Sequence, residues 1–504
     1  MPKSSLNKSM PLQKLDYFYG NEILSDFQTR NEATLKNLAA VPPDDPTEIG
    51  MPTINPKSQL RKYFVEFCSG STVLGFNHIV APNRHPIEKY LVMIVVGMAL
   101  VLLVLLSITF WNRYQYEAIV IVVDNDYYHF KLNKPAVFIC PVPNIEKSKI
   151  PEVFKNNSIE YTPEAEKFFT FLANVNYENM HKTPDFEQVP PKKWLKILHE
   201  IRKDIPPQAL KEPDSYEGLV ITERGLCSVN RNPVAVYSTY EYWMSNNWTV
   251  VPEAEVLTFD INDDGSSETF TINAEALIAM VDPNEILIYD IPTNWMRPNT
   301  AQRPVMMISL IKTLSNVQEL QVHQRRCKFT SDGGLRTWPI YSKNMCMMEC
   351  RMRTIQQLCK CRPHFARPVD GVETCNSAQL RCIGSIKEKL FLFSSPPTYC
   401  KCIPSCDSYE YSIADTKISQ IDTGVTISGV SSSIVMEVHF PTQIFHRSLL
   451  YGFSDFLSSV GGAAGLLLGA SVLSFVEIIY FMSVHACFYA RRASQRKKKS
   501  FLGV

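Results

Sequence analysis

The stretch Tyr451–Met482, YGFSDFLSSVGGAAGLLLGASVLSFVEIIYFM, decides how this chain is read. From Phe456 to Ala490 it carries one formal charge, Glu477. Roughly 20 apolar residues cross a bilayer, so the stretch has length to spare. Gly461, Gly465 and Gly469 recur every fourth residue and share one helix face, which Ser458 joins. Gly462, Ala464, Ala470, Ser471 and Ser474 add further small residues. Such a face lets helix backbones approach closely in lipid, and a plain packed helix pair would satisfy it. Gly469-Ala470-Ser471 points further, because weak helix formers and a hydroxyl sit there at mid-membrane depth. A backbone opened at that depth exposes carbonyls, which is tolerated only where they line water or are buried in protein. Glu477 lies about two turns deeper, and an intramembrane carboxylate is costly and by default marks an ion path. These residues alone favour a channel.

Leu91 to Phe110 is a second charge-free run, bracketed by Tyr90 and Trp111 where interfacial aromatics belong. Orientation follows from the tail RRASQRKKK, which holds Arg491, Arg492, Arg496, Lys497, Lys498 and Lys499 without an acid. The residues leading up to Phe456 offer only Arg447. The Lys/Arg excess places the C-terminus in the cytoplasm, two spans place the N-terminus there too, and the roughly 340 residues between them lie outside. The opening MPKSSLNKSMPLQKL lacks the apolar core of a secretory signal. Residues 1–60 read as a polar, mobile arm. RKYFVEFCSGSTVLGFNHIVAPNRHPIEKY then brings apolar and aromatic residues to the membrane entry, as an amphipathic lead-in would.

Between the spans, EAIVIVVD, PAVFIC, GLCSVN and SSSIVMEVHF read as strands, and PKKWLKILHEIRKDI as a helix. Asn156 and Asn247 head glycosylation sequons, consistent with an outside location. DINDDGSSETFT partly matches a calcium loop, but Thr271 stands where the bidentate Glu is needed. A hairpin turn joining VLTFDI to ETFTI is the expectation there. The chain has 14 cysteines. With Cys68 and Cys487 on the cytoplasmic side, an even set remains outside, which reads as a disulfide framework. Zinc is the rival reading of paired cysteines; the oxidising compartment and the C-x-C spacing count against it. Cys346 and Cys350 share a helix face about 6 Å apart along the axis. Cys400 and Cys402 share a strand face about 6.7 Å apart. Two parallel rungs can join these pairs, and spacing leaves both directions open.

Several motifs together resemble the degenerin/epithelial sodium channel family, also called amiloride-sensitive sodium channels. They are GG-x-x-G-L-x-L-G-A-S-x-L-S-x-x-E from Gly461 to Glu477, the strand Lys134–Cys140, GLCSVN at 225–230, and the run CKFTSDGGLRTWPIYSKNMCMMECR…CKCRPHF…CKCIPSC. The pattern looks closest to the insect pickpocket branch. The resemblance implies disulfides Cys140–Cys227, Cys327–Cys406, Cys346–Cys402, Cys350–Cys400, Cys359–Cys382 and Cys361–Cys375. It implies a selectivity filter at Gly469, Ala470 and Ser471 and a gate at Ser458, Gly461, Gly462 and Gly465. The lower pore would hold Glu477 and Gly75. The family's His-Gly pair before the first span matches Leu74-Gly75, so the glycine is kept and the histidine is not.

The fold class expected is a membrane protein of α+β type, with two transmembrane helices flanking a large disulfide-rich extracellular domain of β-rich palm, finger and helical thumb. Its divisions are a cytoplasmic region at 1–89, a first span at 90–111, an extracellular domain at 112–450 with its thumb at 327–406, a second span at 451–484 and a basic tail at 485–504. The function implied is a trimeric, voltage-independent, amiloride-sensitive, sodium-permeable channel of the plasma membrane. It would be a homo- or heterotrimer with related subunits, gated through its outer domain by a ligand or mechanical stimulus. No cofactor is expected beyond the permeant sodium ion, and no metal site. A net charge of +1 gives no field for nucleic acid. No nucleophile–base constellation or phosphate loop marks an enzyme. An ATP-gated two-span channel, and a non-conducting or auxiliary receptor subunit, are the rival readings. The first would need an outer cluster of basic residues; the second would need neither Glu477 nor a Gly-lined span.

Overall fold

The computed structural model describes residues 56–82, 84–126, 131–205, 217–252, 256–259, 267–272, 275–391, 400–420, 432–489 and 491. The N-terminal arm, the loop around Asp264 and the basic tail beyond Arg491 lie outside the described residues. The chain forms two compact units. The smaller contains, of the described residues, 56–71, 76–82, 84–89, 481–489 and 491. In it the helix Pro56–Gly70 packs on the turn Phe481–His485, whose hydrogen bonds are of the wider π type. Tyr63 stacks on His485 at 5.6 Å and meets Tyr489 at 4.9 Å. Phe67 meets Phe481 edge-on at 5.4 Å, and Cys68 is a buried free thiol.

The larger unit comprises residues 72–75 and 90–480. The first span belongs to the helix Pro86–Tyr116. The second is interrupted: an apolar helix Phe453–Leu468 precedes a helical stretch Val472–Tyr489 that is itself long and apolar enough to cross a membrane. Between the spans, the described residues form two large sheets and one short two-stranded pair. The first has Thr300–Thr313 at its centre, flanked in parallel by Ile444–Leu449 and Ser432–His439 and paired antiparallel with Ser408–Gln420. Its inner face alternates cleanly, burying Met306, Ile308 and Leu310. The second sheet is antiparallel, in the order Glu217–Thr222, Gly225–Asn230, Ala136–Pro141, Ala276–Val281, Asn294–Met296. Every residue of Ala136–Pro141 is buried, because Val137 and Ile139 face the first sheet while Phe138 and Cys140 face the opposite layer. That two-sided burial is why PAVFIC reads as an unbroken apolar run.

One expectation fails here. VLTFDI and ETFTI do not form a hairpin: Thr258–Phe259 pairs with Leu132–Asn133, and Ser267–Ile272 pairs with Ser432–His439 in a different sheet. Their alternating patterns suit any antiparallel neighbour, so adjacency in sequence does not fix the partner.

The helical region at 327–406 is built on Lys343–Cys359, capped at its start by Ser342, whose hydroxyl accepts from the Met345 amide. Cys346 bonds Cys402 and Cys350 bonds Cys400, with Cα separations of 5.8 and 5.9 Å. The rungs therefore run antiparallel. Cys359–Cys382 and Cys361–Cys375 tie the helix end to the next helix and loop, Cys327–Cys406 clasps the base, and Cys140–Cys227 crosses two strands of the second sheet. Residues 400–404 differ from expectation: they are not in a strand, and besides the two disulfides the segment is held by the Tyr341 hydroxyl donating to the Ile403 carbonyl and the Lys328 amide donating to the Pro404 carbonyl.

A buried ion cluster fixes this helix to the sheets. Arg351 is fully enclosed and forks onto both oxygens of Glu223, at 3.0 and 2.6 Å, while its remaining nitrogen reaches Asp290 at 2.5 Å. Glu223 also accepts from the Tyr177 hydroxyl and the Tyr289 amide. These carboxylates outweigh desolvation and hold the guanidinium well above its ordinary range. Breaking a buried pair by removing one partner typically costs about 3–5 kcal/mol. Arg351→Met should therefore lower the thermal unfolding midpoint of the full chain sharply, and Glu223→Gln in the same chain should recover part of the loss. A single variant as stable as wild type would contradict this.

Asp282 is the second buried charge of note. It accepts from the Tyr409 and Asn284 amides beside Glu285 and Asp407, and burial lifts it to about 7. Glu285 and Asp407 are raised for the same reason. A carboxyl raised on folding holds its proton longer when folded, so its stabilisation is present below its ordinary range and is lost as pH rises towards 7. Asp282→Asn should flatten the fall in unfolding temperature between pH 5 and pH 8; an unchanged pH profile would show that Asp282 does not carry it.

Candidate pore at the break in the second span

The helix Phe453–Leu468 ends because Gly469 turns left-handed, with φ at +58°. Its amide and that of Ala470 turn back to the carbonyls of Gly465 and Ala464, at 3.0 and 3.3 Å. The following helix begins with Ser471 as its cap: the Ser471 amide donates to Ser474 Oγ at 3.1 Å, and Ser474 N–H returns to Ser471 Oγ at 3.4 Å. Gly469 and Ala470 thus lie between two helix ends. Among the described residues, the carbonyls of Leu467, Gly469 and Ala470 accept no hydrogen bond from the chain. Unpaired carbonyls of this kind can replace the water around a cation.

The segment Thr72–Gly75 closes on this break. The Leu74 amide donates to the Leu468 carbonyl at 3.0 Å, satisfying one acceptor that the broken helix frees. Leu74 also fills the space at Gly469, where an added Cβ would stand 2.6 Å from Leu74 Cδ1. Gly75 is required twice over: its φ is +96°, and a Cβ there would lie 2.5 Å from Val96 of the first span. Thr72 binds Glu477 through its amide at 3.2 Å and its hydroxyl at 2.9 Å, and the same hydroxyl meets buried Ser474 at 2.7 Å. The intramembrane carboxylate therefore has local partners.

Of the residues singled out in the sequence, Gly469, Ala470, Ser471, Glu477 and Gly75 come together around the break. Ser458, Gly461 and Gly462 do not reach it and lie on the preceding helix, whereas the Gly465 carbonyl accepts the Gly469 amide at the break. Nothing lies within 4 Å of a Cβ placed at Gly461 or Gly462, and Ser458 is exposed. Thr72 was missed as the partner of both Glu477 and Ser474, since a threonine in STVLG carries no signal until the loop is folded. Asn156 is exposed at a helix end, and Asn247 is half-buried in a turn that accepts the Thr249 amide.

The break is tied to the sheets by the spans' outer ends. Ile119–Asp124, directly after the first span, pairs antiparallel with Ile444–Leu449, directly before the second. Trp111 and Tyr114 pack on Phe456, at 5.4 and 6.0 Å, and Arg113 stacks over Tyr451 at 5.0 Å. The base of the disulfide-laddered region also contacts the first span. Gln324 donates to the Tyr114 carbonyl at 3.2 Å and Arg326 to the Tyr116 carbonyl at 2.6 Å, capping the last turn of that helix. His323 meets Gln115 at 2.7 Å. Nothing in QVHQRR marks these roles before folding.

A model of the amiloride-sensitive sodium channel family matches residues 67–481. Among curated proteins, pickpocket protein 28 of Drosophila melanogaster is 23% identical over 204 residues, covering 37% of this chain and 34% of the relative. Pickpocket protein 19 of the same species is 24% identical over 289 residues, covering 52% of this chain and 55% of the relative. The bile acid-sensitive ion channel of Mus musculus is 29% identical over 167 residues, covering 30% and 34%. The aligned stretches thus span from about a third to just over half of these relatives. The six disulfides and the two spans around one large domain are those of a membrane protein with a disulfide-rich extracellular domain. The chain belongs to the amiloride-sensitive sodium channel family, a family of ion channels and not of enzymes, and its relatives include the insect pickpocket proteins.

Proposed function

We propose that this chain is a pore-forming subunit of a trimeric, voltage-independent, sodium-permeable channel of the plasma membrane, blocked by amiloride-like cations. Both termini face the cytoplasm, and the outer domain gates the pore. No cofactor is needed beyond the permeant sodium ion. The observation that carries this reading is the interrupted second span. Gly469 and Ala470 stand between two helix ends with their carbonyls left unpaired, Ser471 caps the helix that follows, and the Thr72–Gly75 loop packs into the interruption. An open backbone in lipid must line water or be buried in protein. A row of such carbonyls around a shared axis gives a cation the ligands its hydration shell loses.

Two observations support an oligomer. One helix cannot enclose a path, and the small-residue face of Phe453–Leu468 is uncovered within one chain at Gly461 and Gly462. Related copies, identical or not, would meet there. The paired strands before and after the spans, and the contacts of 323–326 on the first span, supply the lever between outer domain and pore.

Cells expressing the chain should carry an inward current in sodium that amiloride blocks and that disappears when sodium is replaced by a large organic cation. No current, either alone or beside related subunits, would overturn the pore reading. Ser458 tests the gate. Closing requires the small faces to approach, and overpacking costs about 1–3 kcal/mol. That moves a two-state equilibrium by roughly 5- to 150-fold. Ser458→Val should therefore raise the resting amiloride-sensitive current at matched surface level. A silent Ser458→Val beside a responsive wild type would place the gate elsewhere.

A further inference from the structure

The disulfide-laddered region holds a cavity that the pore does not use. It measures about 180 Å³, far above the roughly 10–15 Å³ that one water requires. Four guanidiniums line it, from Arg336, Arg353, Arg362 and Arg367, against two carboxylates, Glu349 and Asp370. Glu349 is already committed. One of its oxygens accepts from the Arg336 and Thr337 amides and the Thr337 hydroxyl, at 2.7, 2.9 and 2.8 Å, and the other from Arg353 at 3.2 Å. Asp370 is exposed and forms no ion pair among the described residues.

The arginines are therefore under-compensated. Arg367 is only 3% exposed; it donates to the carbonyls of Thr337 and Asn247 and lies over the rings of Trp248 and Tyr242, at 4.0 and 5.2 Å, with no carboxylate partner among the described residues. Arg362 donates to the Ala366 carbonyl at 2.9 Å. The Nε groups of both, and the indole nitrogen of Trp338, itself 2% exposed, find no acceptor among the described residues. Burial pushes both guanidiniums down, and no carboxylate opposes it. A buried donor left unpaired costs about 1–3 kcal/mol, and such groups in native structures call for a partner.

We propose that this cavity binds a small multivalent oxyanion of the sulfate, phosphate or dicarboxylate class. Planar guanidiniums match the paired oxygens of such anions with two parallel hydrogen bonds. The site joins the helix Lys343–Cys359, the loop at 362–372 and, through Arg367, the segment at 242–248. A bound anion would brace these three elements together.

The test uses the full-length chain in detergent or nanodiscs, with sulfate, phosphate and succinate titrated at constant ionic strength and chloride as the reference. Thermal unfolding should rise saturably with at least one of them. Arg336→Gln with Arg353→Gln, both at the open rim, should weaken that response about tenfold or more, equivalent to about 1.4 kcal/mol. Arg303→Gln, on an exposed strand position elsewhere, should leave it intact. Arg362→Gln probes the inner wall; if that variant does not fold, the rim pair decides. A wild type with no saturable response to any of the three anions, or a rim variant that responds as wild type does, would overturn the site.

Discussion

The Leu74 amide donates to the Leu468 carbonyl at 3.0 Å, and the shape of the membrane region hangs on that bond. A helix interrupted in lipid leaves carbonyls that nothing apolar can satisfy. The loop before the first span supplies a donor, fills the space beside Gly469 with Leu74 and places Thr72 on Glu477. The loop in turn exists because Gly75 can turn left-handed where no side chain would fit against Val96. The family's histidine is replaced by leucine at the position before it. The bond is made by backbone and asks for no particular side chain at that position.

The outer domain is coupled to that region through three stiff connections. Strands adjoining the two spans are hydrogen-bonded to each other from Ile119↔Leu449 to Asp124↔Ile444. Aromatic rings from both spans interlock around Phe456. Gln324 and Arg326 cap the first span from the base of the disulfide ladder. That base is itself held by Cys327–Cys406, whose Cys406 carbonyl accepts from Thr313 and from Arg447 on the strand entering the second span. On the proposed reading, movement of the ladder reaches the pore helices by hydrogen bonds rather than by a flexible tether.

Much of this was legible in the sequence, for physical reasons that differ by element. Spans announce themselves because lipid forbids charge over a fixed length, and Gly469-Ala470-Ser471 announces a break because glycine holds a helix poorly and serine favours a helix start. The run PAVFIC is readable as a strand because both its faces are buried. The cysteine spacing of four on the helix announces a ladder but not its direction, which depends on how the 400–404 segment approaches. Other features are tertiary and leave little local trace. The partners of VLTFDI and ETFTI were misjudged because alternation names a face and not a neighbour. Arg351, Glu223 and Asp290 are far apart in sequence, and nothing marks any of them as buried until the helix docks. The same holds for Thr72 and Glu477.

On the proposed reading, ions pass through the interruption held by Thr72–Gly75, and Gly469, Ala470 and Ser471 form its constriction. The most direct measurement is the reversal potential of amiloride-sensitive current, in mixed sodium and potassium, across a series of replacements at Ser471. The account predicts that larger side chains shift the sodium-to-potassium ratio or abolish the current. An unchanged reversal potential across the whole series, with current intact, would contradict it.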